Sequence, residues 1–182
     1  QLRWAHEGEM VAIVGNPGMG KTATFDQYVG ATPNAFKATM QPATRSVQPM
    51  LLEICRAVGA ATRASTATIL TAALRIKLEG VRAVLIIDEA QNLGADTLEE
   101  LRMISNVNTH DRELLQIVLS GQPELKQLLG APELTQFVQR VSSDFHLGLL
   151  DRKDVSQYID HRLKVSGARR RLFTDEACDL IS

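Results

Sequence analysis

One short segment of the chain combines glycines, a lysine and a threonine at spacings that suit the binding of a phosphate chain. It matches the Walker A pattern at every fixed position and reads Gly15-Asn16-Pro17-Gly18-Met19-Gly20-Lys21-Thr22. The glycines let the backbone wrap closely, so that several N–H groups point at a β-phosphate. Lys21 supplies a positive charge for the β- and γ-phosphates, and the Thr22 hydroxyl is placed to ligate Mg²⁺. We therefore expect the whole segment to bind ATP or ADP together with Mg²⁺.

A pair of acidic residues, Asp88-Glu89, directly follows the aliphatic run of residues 84–87. A carboxylate at the carboxyl end of a buried parallel strand lies where such sheets bind ligands. Asp88 is predicted to hold the hydration shell of Mg²⁺. Glu89 is predicted to orient and deprotonate the attacking water. The alternative is that the pair only begins a solvated helix.

A further polar group is expected at the end of a neighbouring strand, where it would position the attacking water. That strand end reads Ser120-Gly121-Gln122. Ser120 and Gln122 are both candidates. The alternative is a plain strand-to-helix turn.

Arg140 follows a predicted helix and precedes the last predicted strand. This position lies at the edge of a parallel sheet, where a neighbouring subunit could dock. An arginine there can reach a γ-phosphate in trans and stabilise charge in the transition state. The interpretation requires a homo-oligomer, and the alternative is an ordinary surface arginine.

Alternating strands and helices are needed to position these residues. Short apolar runs predict strands at 10–14, 35–40, 84–88, 114–120 and 144–147. Helical spacing of apolar residues predicts helices at 21–29, 46–58, 66–78, 95–106, 123–129 and 134–141. The alternation indicates an α/β nucleotide-binding domain with a parallel sheet over residues 1–150. Residues 151–182 contain only helical patterns, which predicts the start of a second, all-α unit.

Composition limits the partners. Twenty Lys and Arg face 21 Asp and Glu, so the formal net charge is −1 and the chain as a whole does not attract nucleic acid. Arg169-Arg170-Arg171 is the one tight basic run, and it is either a solvated turn or a local basic patch. The chain has no stretch of about 18 apolar residues, so no transmembrane segment is predicted. We expect a cytoplasmic location, with any membrane association left to flanking segments.

Several segments resemble the general-secretion-pathway protein A ATPases, the ExeA-like group of AAA+ proteins. The resemblance is carried by Leu85 through Leu93, Leu115 through Leu125, Gln139-Arg140-Val141, Tyr158 through Leu163, and Leu172 through Ala177. A second group shares the core: the helper ATPases of DNA transposases, such as the B protein of phage Mu and the C proteins of Tn7-like elements. The stretch from Pro33 to Gly59 favours that second group.

Both resemblances imply a P-loop NTPase fold of the AAA+ type that hydrolyses ATP. They imply a five-stranded parallel sheet of order 5-1-4-3-2 and a helical lid that starts near residue 151. Gln122 becomes a first sensor and Arg140 an arginine finger. The second sensor arginine is expected beyond Ser182, so hydrolysis by this chain is expected to be slow.

The two groups imply different biology. By the first, the chain is an oligomerising ATPase that powers or regulates the assembly of a secretion or envelope complex through a protein partner. By the second, it is an ATP-dependent DNA-binding helper of a transposase. A third hypothesis is a nucleotide-dependent switch or scaffold with slow turnover.

Overall fold

The computed structural model describes residues 10–60, 62, 66–78, 82–105, 115–148 and 152–180. These residues form two compact units, one that ends at Leu147 and one that begins at Gly148. The first unit contains a β-sheet with helices, and the second contains helices.

The first unit is organised by a sheet of five parallel strands. The strands are β1 (Met10–Gly15), β2 (Ala35–Thr39), β3 (Ala83–Asp88), β4 (Leu115–Gly121) and β5 (Val141–Leu147). Their order across the sheet is β2-β3-β4-β1-β5, and every neighbouring pair is parallel. Read from the other edge, this is the order 5-1-4-3-2 that the resemblance implied, so that prediction is confirmed.

Helices cover both faces of this sheet. They are α1 (Lys21–Ala31), α2 (Val47–Val58), α3 (Ala67–Leu78), α4 (Ala95–Ser105), α5 (Pro123–Leu129) and α6 (Thr135–Val138). Phe25 of α1 packs with Val11 and Ile86 in one buried cluster, whereas α2, α3 and α4 contribute to the larger cluster. Every residue of β1 and β3 is buried, as expected for strands covered on both faces.

The region before β5 differs from the prediction. We expected one helix over 134–141, but the structure has a 3-10 turn at Pro132–Leu134 and then the short helix α6. β5 begins at Val141, which pairs with Met10, so the predicted start at residue 144 is also wrong. The polar residues 142–144 resemble a loop in the sequence. They can form a strand because β5 is an outer strand whose residues are half-buried or exposed, so it does not require a continuous apolar run.

Cys55 of α2 lies inside the larger cluster. Its Sγ lies 3.8 Å from the backbone oxygen of Leu70. Burial raises the pKa of the Cys55 thiol, because the charged thiolate loses its hydration. The thiol is therefore protonated at neutral pH and chemically unreactive.

The second unit contains α7 (Arg152–Val165) and α8 (Asp175–Asp179). The Thr174 hydroxyl caps α8 by accepting a hydrogen bond from the Ala177 backbone N–H at 3.2 Å. Arg171 lies in the segment between α7 and α8 and contacts α7 through its guanidinium. It donates to the Ser156 hydroxyl at 2.8 Å and lies 3.4 Å from an Asp160 carboxylate oxygen. None of the helices in the described residues has the length and apolar character that a membrane span requires.

Candidate functional site

The phosphate-loop segment occupies the turn between β1 and α1. It lies where the parallel strands end, which we call the carboxyl edge of the sheet; the amino edge is where they begin. Gly18 and Gly20 have positive φ angles of 81° and 78°. A Cβ at either position would meet nothing within 4 Å, so it is the backbone conformation that requires glycine there. The Gly20 carbonyl accepts the Thr24 N–H at 2.9 Å and so begins α1. The amino end of that helix therefore adjoins the loop, with its N–H groups and positive dipole end available to an anion.

Lys21 is a buried cation that has no anionic partner among the described residues. Its residue surface is only 7% exposed. Its Nζ donates to the Gly15 carbonyl at 2.5 Å and the Asn16 carbonyl at 3.0 Å. Within the described residues no carboxylate forms an ion pair with it. A buried charge is costly unless an opposite charge compensates it, so this position fits an anionic ligand.

Asp88 connects the phosphate loop to the central strands. It is fully buried at the end of β3. The Thr22 hydroxyl donates to its Oδ2 at 2.8 Å. The Ser120 hydroxyl and the Glu89 N–H donate to its Oδ1 at 3.0 and 3.1 Å. Three donors therefore fix the carboxylate in one orientation.

Glu89 has an unusual backbone conformation for a residue with a side chain. Its φ and ψ are 57° and 38°, in the left-handed region. A 3-10 turn follows at Ala90–Asn92, and α4 begins only at Ala95, so Glu89 does not begin a solvated α-helix. Backbone strain of this kind occurs preferentially at functional sites.

The carboxylate of Glu89 accepts two side-chain amide donors on one oxygen. The Gln122 Nε2 donates to its Oε2 at 3.3 Å. The Gln91 Nε2 donates to the same oxygen at 2.5 Å. Glu89 and both glutamines are half-buried. These contacts extend the cluster from the end of β3 to the end of β4.

Ser120 and Gln122, which were both candidates in the sequence, contact different acids. The Ser120 hydroxyl donates a hydrogen bond to Asp88, and the Gln122 amide donates one to Glu89. Gln91 was not predicted as a site residue. A signal for it exists in the sequence, because Gln91 is polar and lies two residues after Glu89.

Arg140 lies at the amino edge of the sheet, where the parallel strands begin. It directly precedes β5, whose first residue pairs with Met10, whereas Gly15 pairs with Leu147 at the other end. Five residues of strand separate these ends, roughly 17 Å at 3.3 Å per residue. The structure therefore does not bring Arg140 to the phosphate loop of its own chain.

Comparison with known sequences gives a family and several relatives. Residues 5–129, more than half of the chain, match the family described as AAA domain. General secretion pathway protein A of Aeromonas hydrophila is 45% identical over 98 residues, which is 54% of this chain and 18% of that protein. The ATP-dependent target DNA activator B of Escherichia phage Mu is 39% identical over 104 residues, which is 57% of this chain and 33% of that protein. The chain thus corresponds to a third or less of the length of these relatives.

Solved structures share the fold. The Aeropyrum pernix ORC2 protein in its ADP form superposes with a TM-score of 0.70 at 19% identity, covering 96% of this chain and 51% of that one. Cdc6p from Pyrobaculum aerophilum gives a TM-score of 0.72 at 16% identity, covering 94% and 47%. At such identities the likeness concerns the fold alone. The family match, the strand order and these neighbours agree, and the chain belongs to the AAA domain family and has the fold of the AAA+ P-loop ATPases.

Proposed function

We propose that this chain binds ATP with Mg²⁺ and hydrolyses it to ADP and phosphate. The observation that carries the proposal is the hydrogen-bonded cluster at the carboxyl edge. In it, Asp88 and Glu89 accept hydrogen bonds from different residues at the end of β4. Asp88 also accepts one from Thr22 of the phosphate loop. Two acids with separate supports can perform separate tasks.

In this proposal the residues from Gly15 to Thr22 bind the triphosphate. The backbone N–H groups of the loop and of the first turn of α1 donate to phosphate oxygens. Lys21 exchanges its carbonyl partners, or shares them, with the β- and γ-phosphates. The anion supplies the compensating charge that buried Lys21 lacks within the described residues.

Thr22 and Asp88 are the residues that would hold Mg²⁺. The fit rests on their chemistry and position, because a hydroxyl and a carboxylate oxygen already lie 2.8 Å apart and Mg²⁺ prefers oxygen ligands. The ion supplies positive charge that balances the phosphate oxygens. Ser120 and the Glu89 N–H keep the Asp88 carboxylate oriented toward Thr22.

Glu89 is the proposed general base. Its carboxylate orients a water molecule and accepts a proton from it, while the water oxygen bonds to the γ-phosphorus and the bond to the departing ADP oxygen breaks. Gln122, from the neighbouring strand end, donates to Glu89 and is the proposed sensor of the γ-phosphate. The left-handed backbone at Glu89 gives the side chain a direction that a regular strand or helix does not.

The variant Glu89→Gln tests this proposal. The amide keeps the size of the side chain but cannot accept the proton, so ATP binding should persist while turnover falls by about 10²–10⁴. Exposed Glu133→Gln is the matched control and should change neither quantity. Binding is measured by calorimetry and turnover by phosphate release.

A Glu89→Gln chain that hydrolyses at the original rate would exclude Glu89 as the base. Binding without turnover in the unaltered chain would instead support the switch or scaffold hypothesis.

We further propose that the ATPase cycle acts in an oligomer and drives the assembly of a secretion or envelope complex through a protein partner. The relative named General secretion pathway protein A supports this role by its 45% identity over 98 residues. The position of Arg140, distant from its own phosphate loop, suits a residue that acts on a neighbouring subunit.

A second candidate is ATP-dependent binding of DNA as a transposition helper. The relative named ATP-dependent target DNA activator B supports it, and so does a basic cavity in the second unit. This cavity of about 300 Å³ is lined by Lys164, Arg169, Arg170 and Arg171, with Asp160 as its one acid. Phosphates of a nucleic-acid backbone are suited to such a surface.

Binding of double-stranded DNA, measured with and without ATP over a range of salt, distinguishes the two roles. If the basic cavity contacts DNA, the double variant Arg169→Ala/Arg170→Ala should weaken binding and reduce the salt slope by about 2, near one unit per lost contact. Arg56→Ala, an exposed arginine of α2, is the control. Absence of ATP-dependent DNA binding would exclude the transposition role and leave the secretion role.

A further inference from the structure

We propose that Gln91 is a positioning residue for hydrolysis, which fixes the Glu89 carboxylate and leaves one defined oxygen to accept the proton. This inference rests on the proposed role of Glu89 as the general base. It assigns a role to a residue that neither the phosphate-loop motif nor the acidic pair contains.

The amide of Gln91 is engaged at both ends. Its Nε2 donates to Glu89 Oε2 at 2.5 Å, and its Oε1 accepts the Gln122 backbone N–H at 3.1 Å. Gln91 therefore bridges the turn that follows β3 to the end of β4. Since one end donates and the other accepts, the amide cannot rotate by half a turn without losing both bonds.

The two glutamine amides converge on the same carboxylate oxygen. Gln122 Nε2 also donates to Glu89 Oε2, at 3.3 Å. Among the hydrogen bonds of the described residues, Glu89 Oε1 accepts none. Oε1 is consequently the oxygen that can accept a proton from water without first losing a protein donor.

The backbone next to Gln122 leaves room for this bridge. A Cβ added to Gly121 would lie 2.7 Å from Gln91 Oε1, closer than real Cβ atoms approach other heavy atoms. It would also lie 2.9 and 3.0 Å from side-chain atoms of Leu125, which is fully buried and unable to withdraw easily. The absence of a side chain at Gly121 thus lets Gln91 reach the end of β4.

The first test is the nearly isosteric variant Gln91→Met, which removes donor and acceptor but keeps the length of the side chain. Turnover should fall about 10- to 100-fold, the scale of a misplaced catalytic group. The dissociation constant for ATP should stay within about twofold, because Gln91 does not touch the phosphate loop. Gln127→Met, at an exposed position of α5, is the matched control and should leave both quantities unchanged.

The second test, Gln91→Glu, keeps the size of the side chain and an acceptor for the Gln122 N–H but replaces the amide donor with a second carboxylate. Like charges repel, so the Glu89 carboxylate should be displaced and turnover should fall about 10- to 100-fold, while the dissociation constant for ATP stays within about twofold. A merely structural role does not predict this split between turnover and affinity. The measurement also decides the matter if Gln91→Met fails to fold.

The outcomes separate this inference from the proposed function. If Glu89→Gln is inactive while both Gln91 variants hydrolyse ATP at the unaltered rate, the role of Gln91 is excluded and that of Glu89 stands. If Glu89→Gln is fully active, both proposals fail. A fall in turnover for Gln91→Met and for Gln91→Glu with unchanged ATP affinity supports the inference.

Discussion

The two edges of the sheet differ in how completely one chain assembles them. At the carboxyl edge, hydrogen bonds connect Thr22, Asp88 and Ser120, and further bonds connect Glu89 to two glutamines. At the amino edge, Arg140 precedes β5 with roughly 17 Å of strand between it and the phosphate loop. Under the proposed function, the groups for binding and proton transfer belong to one chain, whereas the arginine has to serve another copy.

This difference yields a simple experimental distinction. Variants at the carboxyl edge should change ATP binding or stability by amounts that are independent of protein concentration, because all their hydrogen-bond partners described above lie in the same chain. Variants at the amino edge should affect only the associated form. The following predictions test that distinction, beginning with the largest effect.

Arg140→Ala should bind ATP normally but lose up to about 10³–10⁵ in turnover, if the arginine stabilises transition-state charge in a neighbouring site. Calorimetry measures the binding, and phosphate release over a range of protein concentrations measures turnover. Arg56→Ala serves as the control. Unaltered turnover in Arg140→Ala would identify Arg140 as an ordinary surface residue.

Mixing two inactive variants shows whether Arg140 acts in trans. An Arg140→Ala subunit keeps its phosphate loop and acids, and a Lys21→Ala subunit keeps its arginine. Some mixed interfaces combine the intact parts, so activity should partly return and increase with concentration. A mixture that stays inactive, beside an unaltered chain whose activity depends on concentration, would contradict action in trans.

Lys21→Met should weaken ATP binding by about 10²-fold or more, the scale of losing charge-assisted bonds to phosphate. The increase in thermal stability that ATP gives the unaltered chain should disappear at the same nucleotide concentration. Lys126→Met, at an exposed position of α5, should retain that increase. Equal ATP affinity in the two variants would show that the buried cation does not face the phosphates.

Ser120→Ala should have the smallest effect, because Asp88 keeps two of its three donors. The lost bond to a carboxylate should lower the free energy of unfolding by about 1–2 kcal/mol. Thermal unfolding measures this change, which should not depend on protein concentration. Ser143→Ala on β5 is the control. An unchanged melting temperature for Ser120→Ala would mean that Ser120 does not support Asp88.

The fold was largely predictable, because its signals are local. Four aliphatic residues before Asp88 and the apolar run before Gly15 indicated buried parallel strands, and both are fully buried. Edge strand β5 was predicted less well. Its residues are half-buried or exposed and polar residues interrupt the apolar ones, so the sequence lacked the continuous apolar run that marks the inner strands.

The candidate site was predictable in its residue types but not in its connections. The sequence by itself determined the glycine, lysine and threonine spacing, the acidic pair and the polar end of the next strand. Only the tertiary structure decided that Ser120 contacts Asp88 while Gln122 contacts Glu89. It also decided that Gln91 bridges Glu89 and Gln122, and that Arg140 lies at the amino edge of the sheet. The reason is physical: motif and strand patterns depend on neighbours along the chain. The contacts join residues as far as 66 positions apart, and they depend on the order and register of the strands.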